Sequence, residues 1–244
     1  MKKTLTLFIV AAFCLPVFVN AAEKGLTFDE KFELKAPMPK GRGGSDGSNG
    51  PGVIQIGLGW GVTLGGATIT QKEVGATDYT ENGVGLNSNL GLRAQYGLTK
   101  LFSAGIFMRR ENAVYVTTNS NSNSSNSTTL GTNGFGFGLE GKIYPVNKEK
   151  FALYLAPRVG FSTVKTNFYD SNLSLLGKAN GLNYGFTAGF NWWWAKFIGM
   201  SLDLGYSGSS LNGKFNESFL KDNTYNVKNG GFFFGLGLIT KFGG

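Results

Sequence analysis

Residues 181–197 read GLNYGFTAGFNWWWAKF and set three of the chain's four tryptophans, Trp192, Trp193 and Trp194, side by side. The stretch before them alternates. Tyr184, Phe186, Ala188, Phe190, Trp192 and Trp194 fall on one face of an extended chain. Asn183, Gly185, Thr187, Gly189, Asn191 and Trp193 fall on the other, because successive strand residues point to opposite faces. A soluble strand has one face in water, so three adjacent indoles leave at least one large aromatic on the wrong side. The triplet therefore asks for surroundings that accept aromatics on both faces, next to a turn.

The same period of two runs along the rest of the chain. It begins with Ile54, Ile56, Leu58, Trp60, Val62 and Leu64 against Gln55, Gly57, Gly59, Gly61 and Thr63. It recurs over 84–98, 102–109, 135–143, 153–161, 183–194, 198–207 and 231–242, which makes eight strands. Tight links are expected near 99–100, 147–150 and 195–197, and long ones near 66–82, 118–133, 167–181 and 212–229. Long and short links alternate. Four long loops should share one end of the structure, and three tight turns and both strand termini the other.

Composition agrees with an all-β chain. Of 244 residues, 38 are Gly and 21 Phe, none is His, and only 16% are charged. Residues 1–21 read as a secretory signal: Lys2 and Lys3 lead an apolar stretch from Leu5 to Val19, and Val19-Asn20-Ala21 supplies a cleavage site. The one cysteine, Cys14, lies inside it, so the processed chain is expected to have neither disulfide nor thiolate chemistry. Removing two lysines and no acid lowers the net charge from +8 to +6. The basic residues show no stripe of the kind nucleic acid requires. Residues 22–52, with cancelling charges, prolines and a glycine-serine end, read as a flexible segment before a barrel over 53–244.

Volume decides which face is inside. The apolar face carries about five bulky side chains per strand, more than an eight-stranded interior holds. Glycine, serine, asparagine and a few charges on the other face suit a narrow lumen. The bulky face must point outward, and a ring coated in Leu, Phe and Trp is stable in lipid, where closure also satisfies every backbone hydrogen bond. Trp192 and Trp194 then belong to an aromatic girdle near the turns with Tyr96, Phe102, Phe151 and Phe242. Phe135, Phe161, Tyr184, Tyr206 and Phe232 make the opposite girdle, and Trp193 faces the lumen. The fold class is an eight-stranded antiparallel up-and-down transmembrane β-barrel.

With signal, even strand number, girdles, long loops and short turns in place, region 53–244 resembles the small eight-stranded outer-membrane barrels of Gram-negative bacteria, the OmpX, OmpW and OmpA membrane-domain group. The resemblance implies residence in the outer membrane, contact with outer-membrane lipid and lipopolysaccharide, and insertion by the assembly machinery. It also implies a structural or adhesion-like role through four extracellular loops, with a host or surface ligand at those loops. The alternative is a narrow pore or small-solute path. Members of that group usually end on an aromatic residue, whereas this chain continues past Phe242 with Gly243-Gly244. Barrel enzymes of the outer membrane use a catalytic histidine; this chain has none, so no catalysis, metal or cofactor is expected.

The polar face still carries charge. Arg93, Arg109, Glu111, Glu140, Lys142, Arg158 and Asp203 all point inward and are expected to form a salt-bridged plug, with Arg93, Glu140, Arg158 and Asp203 at comparable heights. Phe107, Tyr144, Tyr154, Trp193 and Phe233 take more of the interior. Gly136 to Gly141 match G-x-G-x-x-G, but within an alternating strand rather than at a strand-to-helix turn, so no dinucleotide site follows. Residues 117–129, TTNSNSNSSNSTT, read as a solvated surface loop. In the two later loops Phe168, Phe215 and Tyr225 either pack into a cap or grip a partner.

Overall fold

The computed structural model describes residues 47–72, 78–118, 127–170, 173–217, 220 and 223–243. The expected signal and residues 22–46 lie outside the described residues. Eight strands form one closed ring: β1 (Ile54–Lys72), β2 (Tyr79–Gly97), β3 (Phe102–Thr118), β4 (Ser127–Asn147), β5 (Phe151–Asp170), β6 (Leu173–Trp193), β7 (Ile198–Phe215) and β8 (Thr224–Phe242). Each pairs antiparallel with the next, and β1 closes on β8.

Register sets the stagger. Directly opposed residues lead from Gly57 through Arg93, Phe107, Gly138, Gly160, Asn183, Ser209 and Asn229 to Ala67, ten residues further along β1 than the start. A stagger of that kind tilts the strands against the barrel axis and fixes its girth, leaving an interior just wide enough for side chains. The β4–β5 ladder is interrupted between Glu140↔Arg158 and Ile143↔Leu155, where Pro157 has no N–H to give, and its register shifts once, between Ile143 and Val146. The turns are tight. Leu98 N–H and Thr99 N–H both reach Phe102 O, Lys148 N–H reaches Phe151 O, and Ala195 N–H reaches Ile198 O.

Near the turns the barrel is inside out by soluble standards. Leu139 on the outside is 64% exposed, and Tyr154 on the inside is 1% exposed. Leu58, Trp60, Leu90, Met108, Phe137, Val159, Phe186, Leu204 and Leu238 extend the outer apolar surface around the ring. Among the described residues no helix is long and apolar enough to cross a membrane. The strands do the crossing: a closed ring with an apolar coat pairs its backbone from strand to strand and has no open edge in lipid.

Towards the loop end the polarity inverts. On β5 the outward row runs Phe151, Leu153, Val159, Phe161 and then Thr163, Lys165 and Asn167. Its inward row passes from Tyr154 and Ser162 to Val164 and Phe168. Ile69, Tyr115, Leu130, Val164, Phe168, Leu211, Phe215, Tyr225 and Val227 form a buried apolar core there. The rings of Phe168, Phe215 and Tyr225 cluster in tilted and edge-to-face contacts, with centroids 4.9 to 5.4 Å apart. This upper half is built as a soluble barrel is.

The inversion corrects the expected loops. Strands run from 17 residues in β3 to 21 in β4 and β6, where about 9–11 suffice to span a bilayer. The connections at the loop end shrink to 73–78, 119–126, 171–172 and 216–223. Phe168, Phe215 and Tyr225 are strand residues facing inward, not loop residues free to grip a partner. Period two continues through all of them. Its apolar phase changes face where the strands leave the lipid, and that change reads in sequence as the end of a strand.

Candidate functional site: a plugged lumen and a basic outer face

The plug begins below β1. Gly50-Pro51-Gly52-Val53 is a tight turn, with Val53 N–H donating to Gly50 O at 3.1 Å and Gly52 at φ +80°. Pro fixes φ at the second position, and Gly accepts the left-handed conformation at the third. The turn folds Ser48 and Asn49, both 0% exposed, against the barrel floor. Asn147 clamps them: its Oδ1 accepts from Asn49 N–H and Ser48 Oγ, and its Nδ2 donates to Asn49 O and Lys100 O. Residues 47–52 are thus part of the barrel's closure, where a flexible segment was expected to run through to 52.

From the floor a chain of polar contacts climbs the lumen. Gln55 Nε2 donates to Ser48 O, and Tyr144 Oη to Gln55 Oε1. Ser103 Oγ reaches Tyr144 Oη at 3.5 Å and Gln95 Oε1 at 3.2 Å, and Gln95 Nε2 donates to Glu140 Oε1 at 2.8 Å. Glu140 stands between two cations, with Arg93 Nη1 at 4.0 Å and Lys142 Nζ at 3.9 Å. Arg93 Nη2 donates to Asp203 Oδ2 at 2.6 Å, and Tyr154 Oη to Asp203 Oδ1 at 2.7 Å. Lys142 also sits 4.2 Å from the centre of the Tyr154 ring. Trp193 closes the floor on its side, with Lys241 over its ring.

A second layer lies above. Arg109 Nε pairs with Glu111 Oε1, and Ser162 Oγ, which donates to the Glu111 carboxylate, accepts from Asn183 Nδ2. The structure therefore joins six of the seven expected charges in two clusters: Arg93, Glu140, Lys142 and Asp203, then Arg109 and Glu111. Arg158 is the exception. It is directly opposite Glu140 in the β4–β5 register, yet its guanidinium lies over the Phe233 ring at 4.6 Å and makes no ion pair within 4.0 Å among the described residues.

Higher still, Glu81 is buried and accepts from Thr117 Oγ1 at 2.5 Å and Tyr79 Oη at 2.9 Å. Sequence reasoning missed it by placing residue 81 in a loop. Alternation with Gly83, Gly85, Asn87 and Asn89 was the available signal. Gln55 and Gln95, the polar links between floor and charges, were visible as inward residues but were not tied to the plug.

On the outer face all eleven expected girdle aromatics are exposed: Tyr96, Phe102, Phe151, Trp192, Trp194 and Phe242 near the turns, and Phe135, Phe161, Tyr184, Tyr206 and Phe232 above. Trp192 and Trp194 meet edge to face at 6.2 Å, and Tyr184 stacks on Tyr206 at 6.4 Å. Phe197 joins the lower set. Above the upper set lies an unexpected row. Lys165, Lys178 and Lys214 are directly opposite one another on β5, β6 and β7, and the row continues through Thr224 to Lys72. All four lysines are exposed. Lys72 pairs with Asp78 at 3.4 Å, and the other three make no ion pair among the described residues. Lys72, Lys178 and Lys214 line a groove of about 490 Å³ with Asn180, Asn212 and Asn226.

No family model matches this chain, and no curated protein matches it. Solved structures do. The outer membrane protein OprG from Pseudomonas aeruginosa superposes with a TM-score of 0.54 at 15% identity, covering 80% of this chain and 98% of that one. The fold is that of the outer-membrane β-barrels. Neisserial surface protein A (13% identity, TM-score 0.34, 78% and 99% covered) and Ail, the attachment invasion locus protein of Yersinia pestis (17%, 0.31, 79% and 99%), also match. Within this outer-membrane barrel, no group of three or more metal-binding side chains lies together among the described residues. Its inward carboxylates each have a cationic, amide or hydroxyl partner.

Proposed function

We propose that the protein is a non-conducting structural barrel of the Gram-negative outer membrane, with its turn end in the periplasm and its long-walled end presenting a contact surface outside. The filled lumen carries this reading. An ion passing through would have to displace Ser48 and Asn49, then the Tyr144–Tyr154 level, then the Arg93–Asp203 pair, then the Phe168–Phe215–Tyr225 cluster. Each level is closed by different chemistry, so no single side-chain movement opens a path. Reconstitution into planar bilayers tests it directly. A silent membrane is the expected result. Steady unitary openings would overturn it in favour of the narrow-pore alternative.

The lysine row supports a surface partner. Like charges directly opposite on neighbouring strands repel, and three such cations together favour an anionic ligand. Standing just above the apolar coat, they suit the phosphates of lipopolysaccharide in the outer leaflet. Lys178→Glu with Lys214→Glu should remove any extra heat resistance that the barrel gains in lipopolysaccharide vesicles over phosphatidylcholine vesicles. A gain that survives the double substitution would place the lipid elsewhere. No catalytic step is assigned to the protein.

A further inference from the structure

The charges inside the barrel do not cancel around Arg158. In the two charged layers Arg93, Arg109, Lys142 and Arg158 face the carboxylates of Glu111, Glu140 and Asp203, each engaged by a cation other than Arg158; the other buried inward carboxylate, Glu81, stands higher and binds Thr117 and Tyr79. Arginine stays charged in proteins, so Arg158 cannot shed its proton to relieve the excess. Lys142 is already engaged, by Glu140 at 3.9 Å and by the face of the Tyr154 ring at 4.2 Å. The Phe233 ring under Arg158 contributes a weak electrostatic attraction and no hydrogen-bond acceptor.

The unmet groups converge on one cavity. Nε and Nη2 of Arg158 and Nη1 of Arg109 are buried without a protein hydrogen-bond partner, and Arg109 as a whole is only 7% exposed. Both guanidiniums, with Arg93, Asn89, Phe233 and the carboxylate residue Glu140, line a partly open pocket of about 30 Å³. That volume is about one water's share of liquid, so it suits a single-atom guest. A water would satisfy N–H groups but bring no charge. A buried, unbalanced cation is costly, and an opposite charge beside it removes most of that cost.

We propose that this cavity is a binding site for one halide-sized anion, chloride in the cell, held by Arg158 and Arg109. The anion supplies the counter-charge and hydrogen-bond acceptor that Arg158 lacks at its own level.

Crystals of the purified barrel soaked in bromide test the assignment, alongside unfolding midpoints in chloride, bromide and gluconate at equal ionic strength. The expected result is an anomalous peak between Arg158 and Arg109. The midpoint should rise by about 4 °C per tenfold increase in halide above its dissociation constant, with no rise in gluconate. Arg158→Gln should abolish both effects. Asn89→Leu, which fills the pocket and leaves every charge in place, serves as a second variant and should abolish the peak. Absence of the peak together with equal midpoints in chloride and gluconate would mean a hydrated cavity and overturn the proposal. So would a halide effect that persists in both variants, which would locate the ion at another site.

Discussion

Arg93 of β2 and Asp203 of β7 meet across the lumen, Nη2 to Oδ2 at 2.6 Å, although three strand steps separate them around the ring. Tyr154 of β5 binds the other oxygen of the same carboxylate. One aspartate thus ties together three parts of the wall that share no backbone hydrogen bond. Closure of the ladder makes the barrel, and this contact braces it from within.

Breaking the brace from either side should be expensive. Glu140→Ala leaves Arg93 and Lys142 short of a counter-charge and Gln95 short of an acceptor, and Asp203→Ala strands Arg93 and the Tyr154 hydroxyl. Removing one partner from a buried pair costs about 3–5 kcal/mol. Each variant should lose that much in urea titrations of barrels refolded into vesicles. Arg93→Met combined with Asp203→Leu should recover much of the loss.

The boundary of the apolar coat can be mapped with a single introduced charge. Leu139 lies in the coat and Asn180 above it, both facing outward. Leu139→Arg should cost about 2–4 kcal/mol in a bilayer, the figure for a cation near the midplane, whereas Asn180→Arg should be close to neutral. Equal costs at the two sites would mean that the coat extends past Lys178, and the orientation of the molecule in lipid would have to be redrawn.

The upper core should respond as a soluble one does. Phe168→Ala removes the ring that packs against both Phe215 and Tyr225 and should cost about 3–5 kcal/mol. Phe137→Ala, on the outer face, should cost clearly less, because lipid tails refill the space the ring leaves. Denaturant midpoints of the two variants in the same vesicles give the comparison.

Gly189 faces Tyr154 so closely that a Cβ there would lie 2.2 Å from the phenol ring carbon Cζ. Gly189→Ala should push the ring away and break its bond to Asp203, lowering the midpoint nearly as far as Tyr154→Phe combined with a packing defect. Tyr154→Phe alone, which keeps the ring and removes the hydroxyl, should show the smaller loss of about 1–3 kcal/mol that an unmet buried acceptor carries. A Gly189→Ala protein with the wild-type midpoint would refute this account of the glycine.

The lower half of the barrel was open to reading because sequence and environment use one rule there. Trp192, Leu139 and Phe137 outside and Gly138, Glu140 and Trp193 inside follow from alternation, volume and the small bore of eight strands. The upper half used the same alternation with the polarity exchanged, and no single-face count detects that. Phe168 read as a loop residue because Lys165 and Asn167 beside it are polar, although those side chains point the other way. Pairing of charges was legible only as a neighbourhood. Glu140 and Arg158 are opposite in register, yet Arg158 turns to Phe233, a choice made by side-chain rotamers and not by strand position. The lysine row was invisible for the converse reason: Lys165, Lys178 and Lys214 become neighbours only once three strands are in register.

The inversion of polarity along β5 also sets a height. From Phe161 to Asp170 the strand continues beyond the apolar coat, roughly 30 Å along its length and about 20 Å along the membrane normal at a 45° tilt. The barrel therefore carries a built-in pedestal. A partner that reaches the strand walls above the coat meets a hydrogen-bonded parapet whose shape the ladder fixes in advance, so docking against those walls forfeits little chain entropy.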